Sequence, residues 1–320
     1  MASTARDRSA DAPDGPTELD SGSKKGVLKR TFKEFQDDNL TDWAAALTYY
    51  GVLSIFPALL ALVSVIGLLG ESTTQSLIDN VEAAAPGPAR DIAVSAIENL
   101  QNSQGAAGIL FIAGLAAALW SASGYVAAFM RASNSIYDIG EGRPIYKTLP
   151  VRVGITLVLV LLLAITAIAV AVTGPLAEEV GNLIGLGDTA VTVWDIAKWP
   201  VLFLIVSFMF AFLYWAAPNV KQPGFRWISP GGMLGVGLWI VASALFALYV
   251  ANFASYNETY GSLGGVIAFL VWLWISNLAI LIGAEFNAEL ERGRRIESGD
   301  VGPGEEPFVE PRDTKKLDDK

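Results

Sequence analysis

Six long apolar runs divide the chain, at residues 44–70, 108–130, 153–175, 199–217, 231–252 and 263–286. Each approaches or exceeds the roughly 20 residues that a helix needs to cross the hydrocarbon of a bilayer. Within them Glu285 is the one Asp, Glu, Lys or Arg. Runs this long and apolar on every face predict helices, because in lipid each backbone N–H and C=O must find its partner inside its own segment. The expected fold is all-α, a polytopic membrane protein with six transmembrane helices.

Between the runs the pattern changes. Over 26–43, Val27, Leu28, Thr31, Phe32 and Phe35 fall on one helical stripe, with Lys29, Arg30, Lys33 and Glu34 on or beside the other face. This predicts an amphipathic N-terminal helix, either lying in the membrane interface on its basic face or packed on the protein as a juxtamembrane helix. The connection 71–107 carries two amphipathic stretches, Leu77, Ile78 and Val81, then Ile92, Ala96, Ile97 and Leu100, parted by Pro86-Gly87-Pro88. Proline there stops one helix from running through, which predicts an outer helical hairpin. Residues 1–25 and 293–320 are rich in Pro, Gly, Ser and charge and are expected to be disordered tails around a membrane domain at 26–292.

Charge supplies the orientation. Fourteen Lys and Arg flank the runs on one side: Lys24, Lys25, Lys29, Arg30 and Lys33, then Arg131, Arg143, Lys147 and Arg152, then Lys221 and Arg226, then Arg292, Arg294 and Arg295. Only Arg90 and Lys198 stand on the other. Basic loops stay inside, so both termini are expected in the cytoplasm. The first residues have no apolar stretch of the signal-peptide kind, leaving the first run as the expected insertion signal. The net charge of −10 is the wrong sign for a protein that tracks phosphate backbones, so no nucleic-acid partner is expected. The chain has neither Cys nor His, which removes disulfides, thiolate and imidazole metal sites and any Ser-His pair. No cofactor is expected, and no G-x-x-x-x-G-K-[ST] loop for nucleotide phosphates occurs.

The candidate chemistry lies where polar residues interrupt apolar helices. A carboxylate within a span is expensive and marks either a site or an ion pair; Glu285 is read as a proton- or substrate-binding group or as the structural partner of Arg131. Tyr49, Tyr50, Ser54 and Pro57 interrupt the first run, and Pro57 frees the carbonyl of Leu53. Interrupted spans are where transporters build sites, although a packing kink reads equally well. Ser121, Ser123 and Gly124 form a small polar patch in the second run, and Asn277 lies mid-span in the sixth. Gly231-xxx-Gly235 and Gly261-xxx-Gly265 are small-residue pairs that let helices approach.

Three stretches resemble a known family. N-L-T-D-W-A-A-A-L-T-Y-Y-G-V-L-S-I-F-P (39–57) is similar to the first-span signature of the YihY/BrkB family of bacterial inner-membrane proteins. W-S-A-S-G-Y-V-A-A-F-M-R-A-S-N-S-I-Y (120–137) resembles its second-span motif, and Y-G-S-L-G-G-V-I-A-F-L-V-W-L-W-I-S-N-L-A-I-L-I-G-A-E-F-N (260–287) resembles its closing span. The resemblance covers about 29–292 and implies a six-span protein of the bacterial plasma membrane. Tyr50, Ser54, Pro57, Asn134, Gly283, Glu285 and Asn287 are the motif positions it singles out. It also carries the older label ribonuclease BN, against which the absence of histidine argues, and the label virulence factor, which names no chemistry. The expected function is non-enzymatic: transport or handling of a lipid or another amphipathic envelope molecule. The alternative is a scaffold that recruits an envelope-assembly partner through the hairpin 71–107.

Overall fold

The computed structural model describes residues 16, 18–67, 107–171, 188–222, 225–252 and 262–317. Seven helices account for most of them: α1 (Ser21–Asp37), α2 (Leu40–Gly67), α3 (Ala107–Ile136), α4 (Ile145–Ala171), α5 (Asp188–Ala216), α6 (Phe225–Asn252) and α7 (Ser262–Glu297). Among the described residues no strand occurs, and one isolated bridge joins Val220 to Pro311. The hairpin expected over 71–107 lies outside the described residues except for Ala107, the first residue of α3.

Among the described residues four helices are long and apolar enough to cross a membrane, over Ile145–Thr166, Thr192–Ala216, Pro230–Ala251 and Gly264–Glu297. Their outer faces fit lipid: Leu161 on α4, Leu245 and Leu248 on α6 and Val266 on α7 are all exposed. The first two apolar runs are helical too, in α2 and α3. Helices overrun the apolar stretches because lipid does not end a helix; caps and backbone breaks do. The 36 residues of α7 extend about 54 Å at 1.5 Å per residue, against about 30 Å of hydrocarbon. Its last three turns therefore lie beyond the run 263–286.

The chain divides into two units, Met1–Thr48 with Ala128–Lys320, and Tyr49–Ala127. In the first, glycine sets how closely α6 packs. A Cβ on Gly231 would stand 2.3 Å from the Gly283 carbonyl oxygen of α7, and one on Gly232 would stand 2.6 Å from the Ser207 carbonyl oxygen of α5. The expected close approach at Gly231 and Gly235 is present. A Cβ on Gly265 would meet nothing within 4 Å, so no tight crossing occurs there among the described residues, and Gly261 lies outside them.

Both ends of the chain differ from expectation. α1 begins at Ser21, where the Asp20 side chain caps it by accepting from the Gly22 N–H at 2.9 Å. Leu19, Val27 and Leu290 form a small buried cluster with Phe286 packed against it, so the order expected from residue 26 starts earlier. α1 also stops earlier, at Asp37. Asn39 adopts a left-handed backbone, φ 53°, which asparagine tolerates better than most residues. The Asn39 carbonyl then accepts from Asp42 and Trp43 to open α2. At the other end, residues 298–317 are not a solvated tail. Phe308 and Val309 are buried, because this segment finds both apolar pockets and backbone partners.

Candidate functional site

The candidate polar residues fall in three places. In the unit Tyr49–Ala127, the Ser54 hydroxyl donates to the Tyr50 carbonyl at 2.7 Å and lies 3.3 Å from the Ser121 carbonyl. The Ser121 hydroxyl donates at 3.0 Å to the Leu53 carbonyl. Proline at position 57 has no N–H to offer residue 53, four positions back, so Ser121 caps the carbonyl that Pro57 frees. Ser123 turns back to the Trp120 carbonyl at 2.6 Å. Tyr49 is exposed, and its ring meets that of Tyr50 edge-on at 5.3 Å. A Cβ on Gly124 would lie 3.4 Å from the Tyr50 ring. These residues come together as a seam between α2 and α3, with the serine hydroxyls engaged on backbone.

The second place is the end of α7, in the other unit. Thr48 accepts from the Asn277 amide at 3.1 Å, and Asn287 accepts from the Gly231 N–H at 2.9 Å, so both asparagines join helices. Between them in sequence Glu285 is 1% exposed. Its carboxyl lies within hydrogen-bond reach of Asp38, with Glu34 and Glu289 near enough to act on its charge. Its Oε2 is buried and meets no hydrogen-bond donor among the described residues. Arg131, the other expected partner of Glu285, is exposed, and the carboxyl facing Glu285 is Asp38 of the turn between α1 and α2. Burial chiefly, then the charges of Asp138 and Glu34, push the Asp38 carboxyl up to about 6, opposed by the Glu285 bond and Arg292.

Two turns further on, Arg292 is 4% exposed and gathers three segments. Its guanidinium lies 3.3 Å from Glu289 of α7, 3.5 Å from Glu34 of α1 and 3.0 Å from Glu306 of the C-terminal segment. The Phe308 ring covers it at 4.4 Å. Arg30 of α1 also pairs with Glu289, and Glu291 is held by Arg294 at 2.6 Å and Arg295 at 2.8 Å. Among the described residues no group of three or more Asp or Glu could hold a metal ion.

Asn134 belongs to a third arrangement that sequence reasoning missed. Its Oδ1 accepts from the Asn219 N–H at 2.7 Å and its Nδ2 donates to Glu141 at 3.1 Å. Glu141 receives both arms of the Arg143 guanidinium at 2.7 Å, and Arg143 also donates to the Ala217 carbonyl at the end of α5, at 2.8 Å. Burial raises the Glu141 carboxyl, but the bonds from Arg143 outweigh that and hold it below the usual range. Asp38, Arg292 and Asn219 were also missed. The available signals were the run Asp37-Asp38-Asn39, a turn signature, and an asparagine following Pro218 between two apolar runs.

A sequence model of the family described as Virulence factor BrkB matches residues 31–306. The chain is 32% identical to "Putative ribonuclease-like protein YfkH" of Bacillus subtilis over 88% of its own length and 98% of that protein. It is 30% identical to a UPF0761 membrane protein of Alkalilimnicola ehrlichii over 86% of its length, and it spans 60% of that longer relative. A UPF0761 membrane protein of Mannheimia succiniciproducens is 26% identical over 83% of this chain and 90% of its own. No solved structure matches. With the family model covering most of its length, the helical, membrane-crossing chain belongs to the Virulence factor BrkB family.

Proposed function

We propose that this chain moves or hands on an amphipathic molecule, an envelope lipid before others, within the bacterial plasma membrane. In this reading the apolar runs of α2 and α3 also cross the membrane, making six spans with both termini in the cytoplasm, and the chain is not an enzyme. One observation carries it: the Oε2 of Glu285, buried on an apolar helix and met by no donor among the described residues. A buried acceptor left without a donor costs about 1–3 kcal/mol, and a hydroxyl or ammonium head group would supply the missing donor. The ribonuclease-like name of the Bacillus relative finds no support in the residues here, since the chain has no histidine for metal ligation.

Native mass spectrometry of the protein extracted with its surrounding lipid tests this, on wild type and Glu285→Gln side by side. A defined lipid retained by the wild type and lost from the variant is the expected result. Only bulk lipid on both would overturn it and favour the scaffold acting through 71–107, for which cross-linking through those residues is the next measurement.

A further inference from the structure

The C-terminal segment is held through its main chain. Residues 310–313 run along 219–221: the Lys221 N–H donates to the Glu310 carbonyl at 2.9 Å, and the Arg312 N–H donates to the Asn219 carbonyl at 2.8 Å. The carboxamide of Asn219, fully buried, then takes both backbone groups of one residue. Its Nδ2 donates to the Asp313 carbonyl at 2.8 Å, and its Oδ1 accepts from the Asp313 N–H at 3.1 Å. Asn134 fixes Asn219 from behind. Gly142 admits the segment, since a Cβ there would fall 1.8 Å from the Asp313 carbonyl oxygen.

Side chains are received as well. The Arg312 guanidinium donates to the Val220 carbonyl at 3.0 Å and to the Trp215 carbonyl at 3.1 Å, the latter one of the orphan acceptors at the end of α5. Phe308 inserts between the Tyr137 ring, 5.8 Å away, and Arg292. Main-chain pairing that gives affinity, with pockets for chosen side chains that give specificity, is how proteins bind extended peptides. The connection that delivers the segment has glycine in the left-handed region at Gly299 and Gly304, φ 73° and 91°.

We propose that this groove is a recognition site for an extended peptide of the pattern aromatic–aliphatic–x–Pro–Arg–Asp, filled in cis by residues 308–313 and open to a partner that presents the same chemistry. The tail then competes with the partner at an effective concentration of about a millimolar, as a short tether sets it. Loosening the tail raises the apparent affinity of the groove for a peptide in trans. This inference does not depend on what the membrane-crossing helices carry.

The test uses the full chain and a labelled synthetic peptide spanning residues 305–317. A host carrying Phe308→Ala and Arg312→Ala, its own tail weakened, is expected to bind the peptide at least about tenfold more tightly than wild type. The same peptide with alanine in place of its arginine is expected to bind that host about tenfold more weakly. Equal binding to both hosts, or none, overturns the proposal, as does a peptide indifferent to its arginine. Should the doubly substituted host fail to fold, a second measurement decides. The chain has no cysteine, so Lys316→Cys in an otherwise wild-type tail accepts a single fluorophore. Excess unlabelled peptide is expected to lower its anisotropy, and no change at several millimolar, about the tether's own concentration, overturns the proposal.

Discussion

Along the seam between α2 and α3 the polar groups are serine hydroxyls, whereas at the end of α7 they are carboxylates, and the chain satisfies the two sets by different means. A hydroxyl needs one acceptor, and a helix always has carbonyls nearby. Ser54 and Ser121 therefore settle on backbone, and Ser121 covers the carbonyl that Pro57 leaves open. A carboxylate offers only acceptors, and an apolar helix whose N–H groups are all engaged has nothing to give it. Glu285 faces a second carboxyl, that of Asp38, while Glu289 draws Arg30 and Arg292 from two helices. A polar residue in an apolar run thus marks a site in proportion to the donors it lacks.

Arg292→Ala sharpens the contrast most. It strips the cation from Glu34, Glu289 and Glu306 together, and breaking a buried ion pair by removing one partner costs about 3–5 kcal/mol. Thermal unfolding in detergent should show a large fall in Tm, and a fall no larger than that of a surface arginine would mean the cluster is solvated. Asp38→Asn acts through pH. A carboxyl that ionises near 6 in the folded chain, against 3.8 in a model peptide, keeps its proton after the unfolded chain has released one. Its contribution is present below about pH 4 and lost as pH rises towards 6. The wild-type Tm should fall across that window and the Asn variant should fall less, with Asp138, also raised chiefly by burial, retaining part of the slope. Parallel curves would remove Asp38 from the account. Ser121→Ala at the seam is the mildest, losing one neutral hydrogen bond of about 1 kcal/mol and leaving the pH dependence of Tm unchanged.

Hydropathy placed the helices well, because a long apolar run constrains little else. It placed their ends poorly: α1 is closed by the backbone of Asn39 and α7 runs on to Glu297, and neither limit is an apolar boundary. Glu285 stood out as a lone charge, but nothing in sequence spacing ties it to Asp38, which lies at the far end of the chain. The tail misled for a related reason. Composition averages over residues, and in 298–317 two buried side chains and one asparagine across the groove outweigh the rest.

The attachment of α1 has a consequence for synthesis. Although α1 adjoins α2 in sequence, its bonds run to α7: Arg30 pairs with Glu289, Val27 packs with Leu290, and the Asp20 N–H reaches Glu297 at 3.3 Å. Arg30 and Glu289 lie 259 positions apart. At about 5–20 residues per second on the ribosome, α1 waits roughly 10–50 s for its partner residues on α7 to be made. Throughout that interval it is an amphipathic segment without its partner, so the nascent chain carries an uncovered apolar face at α1 until α7 follows.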